Sequence, residues 1–478
     1  MNYGKTILLM SLVVLSMIIV TPIAKAGYAT EEGSVIYVPT DYPTIQEAID
    51  AAEEGDTIIV EEGVYHENLV IDKRLTLEGV SKEGVILDGE GIKAHYGVHI
   101  TADGVVIRRF TIKGFTYGWG WGVQLTGADN CIVEDLIIIE CNSGINLYKG
   151  CDNNIIQHCE IVGIGGHGIS IYGSDEGCTN NVIRENEIIG CAWYQPYGIY
   201  HLPAIPVFSG ASHNVIEDNI VEGTGVGYGI ALWGYTYGRS DMPEIGNIIR
   251  NNIISDFDIG IYVAGFNPYT GTINLVSETE ISFNTITDNR IGVKVKGFDK
   301  YGSPGKTNYN NIEDNEEYGV LSEPYNEYIY PEYDATLNWW GDPTGPEGLG
   351  PGAGDAVSSC VDFEPWLLAP FENYVTPTVE GVVNILEGLK DGIEALDEED
   401  FKKPGEKRKE TLIRKVDAVI RQVKAGAFDG AVEKLEKDIK EKIDVDGKAD
   451  WLMEDSPLSR TLVANIDLLI EIIKMLEG

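Results

Sequence analysis

The chain has 478 residues, with 76 Asp and Glu against 35 Lys and Arg, 43% hydrophobic residues and 56 glycines. That composition excludes a disordered chain, a collagen and a polytopic membrane protein, and the length suits one large repeat domain or roughly two to four ordinary ones. A formal charge of −41 removes nucleic acid from the expected partners, because neutralising a phosphate backbone requires a basic patch; cations, neutral glycans and basic surfaces remain.

Residues 1–26 have the layout of a secretory signal peptide: Lys5, an apolar run from Ile7 to Val20, Pro22, then Ala24-Lys25-Ala26 before Gly27. The run is shorter than the roughly 20 apolar residues a membrane span needs. No later stretch is apolar and long enough, so no transmembrane anchor is expected after cleavage. Next, Pro43 to Ala52 places apolar residues at helical spacing and ends before Gly55, which predicts a capping helix.

From about 97 to 320 the chain repeats a two-part unit. One part is Asn-x-Ile-x-x-Asn-x-Ile, as in Asn181-Ile183-Asn186-Ile188, Asn214-Ile216-Asn219-Val221 and Asn247-Ile249-Asn252-Ile254. The other is Gly followed by an apolar residue, at Gly97, Gly122, Gly144, Gly168, Gly198, Gly229, Gly260, Gly292 and Gly319. Each half is too short for a helix and alternates with period two, so it reads as a short strand bent at Gly or Asn. Stacking such coils about 4.8 Å apart buries the Ile and Val columns and pairs each backbone with the coils on either side. The predicted fold is mainly β: a right-handed parallel β-helix over 27–370, with Asn186, Asn219, Asn252, Asn284 and Asn315 forming an internal amide ladder. Uneven steps in the Ile column place insertions at 190–213, 222–246 and 263–280, the expected binding side. Asn338-Trp339-Trp340-Gly341 and Val361 to Trp366 are expected to close the last coil.

On these residues the chain resembles a known group. Thr44-Ile45-Gln46, Gly55-Asp56-Thr57-Ile58, Gly63-x-Tyr65-x-Glu67-Asn68 and Leu75-Thr76-Leu77-x-Gly79, with the Trp-rich ending, are similar to NosD-like, pectin-lyase-like right-handed β-helix proteins. The resemblance covers about 27–370 and implies the fold. It leaves function open, since that superfamily includes lyases, hydrolases, epimerases, metal-site assembly proteins and surface proteins.

After a linker at 371–378, residues 379–478 carry apolar residues three or four apart, as in Leu412-Val416-Val419-Ile420-Val423, and read as an α-helical bundle. Charge separates the parts: 371–478 holds 17 basic and 25 acidic residues, net −8, and 27–370 holds 16 and 51, net −35. Phe401-Lys402, Arg408, Lys434-Leu435, Asp438-Ile439 and Trp451 resemble FIMAH-type helical domains of extracellular microbial proteins. The role of those domains is poorly defined, and the segment reads as an attachment or spacer bundle, with another surface component as the expected partner of an attachment role.

Seven cysteines lie between 131 and 360. Cys151 and Cys178 sit five residues before Ile156 and Ile183 of adjacent coils, so they stack one strand spacing apart, a distance that suits a disulfide. The seven His are dispersed and no soft-ligand cluster accompanies them, which argues against specific copper binding. No cofactor is read with certainty; calcium is the cation that the carboxylate surplus favours, although no calcium-loop motif is present and the metal ligands are unknown.

Gly166-His167-Gly168 resembles a segment of polygalacturonases, but the matching stretch Cys141 to Asn146 lacks the pair of carboxylates that glycosidic hydrolysis needs. An elimination site would need a cation and a base, which Tyr237, Arg239 and Asp241 supply in one loop. The catalytic candidates are therefore His167, Tyr237, Arg239 and Asp241. Aromatic density gives a second set, the binding candidates Trp119, Trp121, Trp193, Tyr194, Tyr197, Tyr200, His201, Trp233, Tyr235, Phe266 and Tyr269, whose rings stack on sugars or anchor the insertions. The favoured expectation is a secreted or cell-surface protein that binds polysaccharide or builds an envelope layer. A polysaccharide lyase, hydrolase or epimerase is the first alternative, and a NosD-like metal-handling protein the second.

Overall fold

A computed structural model describes residues 33–192, 202–233, 243–265, 276–297, 305–323, 332–444, 450–452 and 456–477. It divides into two compact units, Glu31–Asn338 with Asp355–Phe363, and Trp339–Gly354 with Glu364–Gly478.

The first unit is a right-handed parallel β-helix in which each coil has three legs. First-leg strands run from Val35–Val38 through Val182–Arg184 to Gly305–Asn308, and second-leg strands from Gly63–Tyr65 through Glu187–Ile189 to Asn311–Glu313. Third-leg strands run from Leu69–Ile71 through Ser143–Tyr148 to Tyr318–Glu323. The pairing is parallel and in register from coil to coil: Ile156 on Ile183, Ile183 on Ile216, Ile216 on Ile249. The inward-pointing residues form fully buried columns, and each third-leg strand contributes two of them, Ile145 with Leu147, Ile169 with Ile171, Ile205 with Val207, Ile230 with Leu232 and Ile261 with Val263. The expected capping helix is present at Ile45–Ala51, with Thr44 accepting from the Glu47 N–H and Ile45, Ala48 and Ile49 buried.

The corner between first and second legs is made by a single left-handed residue: His158, Glu185, Asp218 and Asn251 have φ of 56°, 55°, 57° and 57°. Such a conformation is costly for a residue with a Cβ. What holds it is the residue that follows. Asn219 Oδ1 accepts from both the main-chain N–H and the Nδ2–H of Asn186, at 3.1 and 3.0 Å, while Asn219 Nδ2 donates to the Ile183 carbonyl at 2.9 Å. The pattern repeats through Asn252, Asn284, Asn310 and Asn338, so each buried amide is satisfied by its neighbours along the axis.

Asn315 was expected in this ladder and is not in it. The position after Asn284 belongs to Asn310, and Asn315 lies one corner later, stacked between Asn289 and Asp355. Because Asn recurs every five residues at 284–289 and 310–315, sequence spacing alone reads the two corners alike.

Gly198-Ile199, expected in the third-leg series, lies outside the described residues, and the series position in register there is filled by a later pair. That pair is Ala204-Ile205 in the strand Pro203–Phe208, where the Ala204 carbonyl accepts from Gly168 N–H at 2.8 Å. The expected insertion at 190–213 thus contains the third-leg strand itself. Small residues recur at this position because the backbones pass closely: a Cβ on Gly144 would stand 2.2 Å from the Gly168 carbonyl oxygen.

The second unit is helical. Val379–Ala395, capped by Thr378, Gly405–Lys424 and Pro457–Glu477 bury Leu386, Leu389, Leu412, Val416, Leu462, Ile466 and Ile473 among themselves. Trp340 and Trp366, expected to close the last coil, are fully buried and belong to this unit, where the Trp366 indole N–H donates to the Pro343 carbonyl at 3.0 Å. The Tyr374 hydroxyl donates to Asn465 Oδ1 at 2.5 Å and accepts from Leu368 N–H. No described helix is long and apolar enough to cross a membrane.

Candidate functional site

Third-leg strands alternate, so the side chains that do not enter the core form three rows along the outer face of one sheet. The middle row is polar at its start: His99, Gln124, Asn146 and Ser170 are in register. Asn146 Nδ2 donates to Gln124 Oε1 at 3.0 Å, and Gln124 Nε2 donates to Thr126 Oγ1 at 3.1 Å. Although they face outward, Gln124, Asn146 and Ser170 are only 5%, 6% and 2% exposed. Asn146 Oδ1 and the neighbouring Ser143 Oγ are buried without a hydrogen-bond partner. Such groups are rare in folded proteins and mark a place where a ligand or water completes the bonding.

One flank of this row is aromatic over four consecutive coils. Tyr148 stacks on Tyr172 with centroids 5.4 Å apart, Tyr172 meets Phe208 edge-on at 5.4 Å, and Phe208 stacks on Trp233 at 5.7 Å and 14°. All four are half-buried. Tyr228 and Tyr262 extend the cluster, with Tyr228 on Tyr262 at 5.1 Å. The other flank carries Tyr96 and Trp121 in register, and Trp121 stacks on His167 at 6.1 Å and 19°. Beside them Tyr117 and Trp119 are open to solvent, Trp119 at 55% exposure.

Of the binding candidates, Trp119, Trp121 and Trp233 are therefore brought to this face. Trp193, Tyr194, Tyr197, Tyr200, His201, Tyr235, Phe266 and Tyr269 lie outside the described residues, as do the catalytic candidates Tyr237, Arg239 and Asp241. Tyr148, Tyr172 and Phe208 were missed by the sequence reading, although a signal existed. Each stands four residues after the small residue that opens its strand, at Gly144, Gly168 and Ala204, as Trp233 does after Gly229.

His167 is held by its own strand neighbours. Its Nδ1 lies 2.8 Å from the Pro203 carbonyl, which fixes Nδ1 as the protonated nitrogen. Burial of the ring pushes its pKa down to about 4, against a smaller upward pull from that carbonyl. At neutral pH it is a neutral imidazole with no carboxylate partner, which suits packing or hydrogen bonding more than proton transfer. Among the described residues no group of three or more His, Cys, Asp or Glu side chains converges as a metal site.

Cys151 and Cys178 face each other between adjacent coils as buried free thiols. Cys151 Sγ donates to the Tyr148 carbonyl at 3.4 Å and Cys178 Sγ to the Leu147 carbonyl at 3.9 Å, and the proximity of the two thiols holds Cys151 below its ordinary pKa and pushes Cys178 above.

A family model described as "Right handed beta helix region" matches residues 73–240. Among solved structures, an alginate lyase from Paenibacillus sp. str. FPU-7 is 17% identical, with a TM-score of 0.38, covering 69% of this chain and 99% of that one. The A-module of an Azotobacter vinelandii mannuronan C-5 epimerase is also 17% identical, at TM-score 0.38, covering 67% and 94%. The pectin methylesterase PemA of Erwinia chrysanthemi is 15% identical at 0.32, covering 53% and 90%. These identities and scores assign no activity to this chain. No curated protein matches its sequence.

Proposed function

We propose that the chain is an exported polysaccharide-binding protein whose ligand lies along the outer face of the third-leg sheet. The observation that carries this reading is the continuous aromatic row Tyr148–Tyr172–Phe208–Trp233 beside a row of amides and hydroxyls in which Asn146 Oδ1 and Ser143 Oγ lack partners. Aromatic faces take up the apolar C–H faces of sugar rings, and amides and hydroxyls pair with sugar hydroxyls. A row that repeats with every coil suits a linear polymer better than a single small ligand. The signal-like residues 1–26 and the NosD-like and FIMAH-like resemblances support placement at the cell surface or outside the cell. Calcium enters the proposal as a condition to vary, on the strength of the carboxylate surplus alone.

Binding without chemistry is favoured over a lyase, hydrolase or epimerase because the described face offers no carboxylate pair, and of its two imidazoles His167 is buried and neutral while burial lowers the pKa of His99, whose Nε2 is engaged with Thr126 Oγ1 at 3.1 Å. The test incubates the protein, with and without calcium, with a panel of neutral and uronate polysaccharides. It follows co-sedimentation, reducing ends and the absorbance of unsaturated products together. Co-sedimentation without products, weakened in Tyr172→Ala and Trp233→Ala, supports the proposal. Product formation contradicts it.

A further inference from the structure

The helical unit contains a strongly basic segment in a chain whose net charge is −41. Residues 402–424 hold nine Lys and Arg and three Glu and Asp. On the helix Gly405–Lys424, Lys407, Arg414 and Arg421 recur every seven residues, which puts them on one face about 10 Å apart. All three are exposed, as is Lys424. The acidic neighbours are largely engaged elsewhere: Asp417 meets Lys390 at 3.5 Å, and Asp438 binds Lys415 at 2.8 Å and Lys434 at 3.3 Å. Glu410 makes only a long, exposed contact with Arg414, at 3.5 Å.

At the start of the same helix, Trp451 holds two more cations. The Arg408 guanidinium lies 5.6 Å and the Lys442 ammonium 6.0 Å from its ring centroid. Backbone bonds keep the ring in place: Lys402 N–H donates to the Trp451 carbonyl at 2.7 Å, and Trp451 N–H donates to the Lys442 carbonyl at 2.8 Å. Lys402 is neutralised by Asp450. Arg408 and Lys442 have no carboxylate partner among the described residues, and Arg408 Nη1 is buried without a hydrogen bond. An unpaired guanidinium held against an aromatic ring is pre-organised to meet an anion.

We propose that this face of the helical unit binds an acidic polysaccharide, one carrying carboxylates or sulfates. A linear stripe of cations suits a polymer with charges spaced along it. Nucleic acid fits less well, because duplex DNA places one charge per about 1.7 Å of axis and so meets far stronger repulsion from a chain of net charge −41. A protein partner fits less well too, since this helix exposes no large apolar side chain to form an interface core. The site is distinct from the aromatic sheet of the coil unit and does not depend on it.

The test measures binding of the full chain to polygalacturonate and dextran sulfate, with dextran, polyglutamate and duplex DNA as controls, over a salt series. Salt-sensitive binding to the two acidic polysaccharides is expected, reduced roughly tenfold or more in the triple variant Lys407→Glu, Arg414→Glu, Arg421→Glu and reduced in Arg408→Gln. The three exposed positions carry no packing, so circular dichroism and Tm of the triple variant should match the parent. The proposal is overturned by no binding at low salt, by full binding in the triple variant, or by equal binding of dextran, polyglutamate or DNA.

Discussion

Asp355 Oδ2 accepts both the main-chain N–H and the Nδ2–H of Asn315, at 3.1 and 2.7 Å, so a carboxyl ends a stack of amides that begins at Asn289. Burial raises the Asp355 pKa from 3.8 to about 6, against the lowering effect of the two bonds from Asn315. Between these values the folded chain binds more protons than the unfolded one, so this group's contribution to stability is lost as pH rises from about 4 through 6. Asp355→Asn would continue the amide stack without a buried charge. Denaturant titration at pH 7.5 is expected to show a gain on the order of 2 kcal/mol that shrinks toward pH 4.

His167 has the opposite sign. Its pKa is lowered from 6.5 to about 4, so the unfolded chain binds the extra proton and stability falls as pH drops through that interval. On the order of 3 kcal/mol is at stake. In His167→Gln this part of the acid sensitivity should disappear in urea titrations at pH 4.5 and 7.5. Because this imidazole stays neutral, His167 itself should add no pH dependence to glycan binding between pH 5.5 and 8.

The amide ladder predicts a third outcome. Asn219→Ala removes the acceptor for two N–H groups of Asn186 and the donor to the Ile183 carbonyl and Asn252 Oδ1, all buried. Each stranded group costs about 1–3 kcal/mol, so a loss of several kcal/mol and a large drop in Tm are expected. A loss under about 1 kcal/mol would mean that the ladder is not what holds the left-handed corner at Asp218.

Cys151 and Cys178 provide a fourth. Their facing thiols, in a chain that carries a signal-like segment, are proposed to form a disulfide on export, closing a loop between adjacent coils. Thiol titration of the unfolded, unreduced protein from an oxidising compartment should find two fewer thiols than after reduction. Cys151→Ser should abolish that difference and lower Tm. Seven thiols without reduction would refute the bond.

The coil architecture was legible because its signals are local and repeated: Ile183, Ile216 and Ile249 sit in the sequence as they sit in the stack. The errors fell where two positions share one local signal. Asn310 and Asn315 both follow a left-handed corner, and only the pairing of neighbouring coils decides which one joins Asn284. Gly198-Ile199 carries the strand-opening pattern, yet Ala204-Ile205 takes the position because register with Gly168 sets it. The candidate face was half legible. Trp121 and Trp233 stood out as tryptophans, whereas Tyr148, Tyr172 and Phe208 are ordinary residues until alignment of strands places them in one row. The missing partners of Ser143 Oγ and Asn146 Oδ1 depend on packing across coils, which no spacing reveals.

The measurement that bears most directly on the central claim is co-sedimentation of the Lys407→Glu, Arg414→Glu, Arg421→Glu chain, without and with the double substitution Tyr172→Ala, Trp233→Ala, with the same polysaccharide panel, with product assays on each supernatant. The account predicts that at least one polysaccharide is bound, that the double variant binds it roughly tenfold or more weakly at unchanged Tm, and that no products form. Equal binding by both proteins, or cleavage or unsaturated ends in the supernatant, would contradict it.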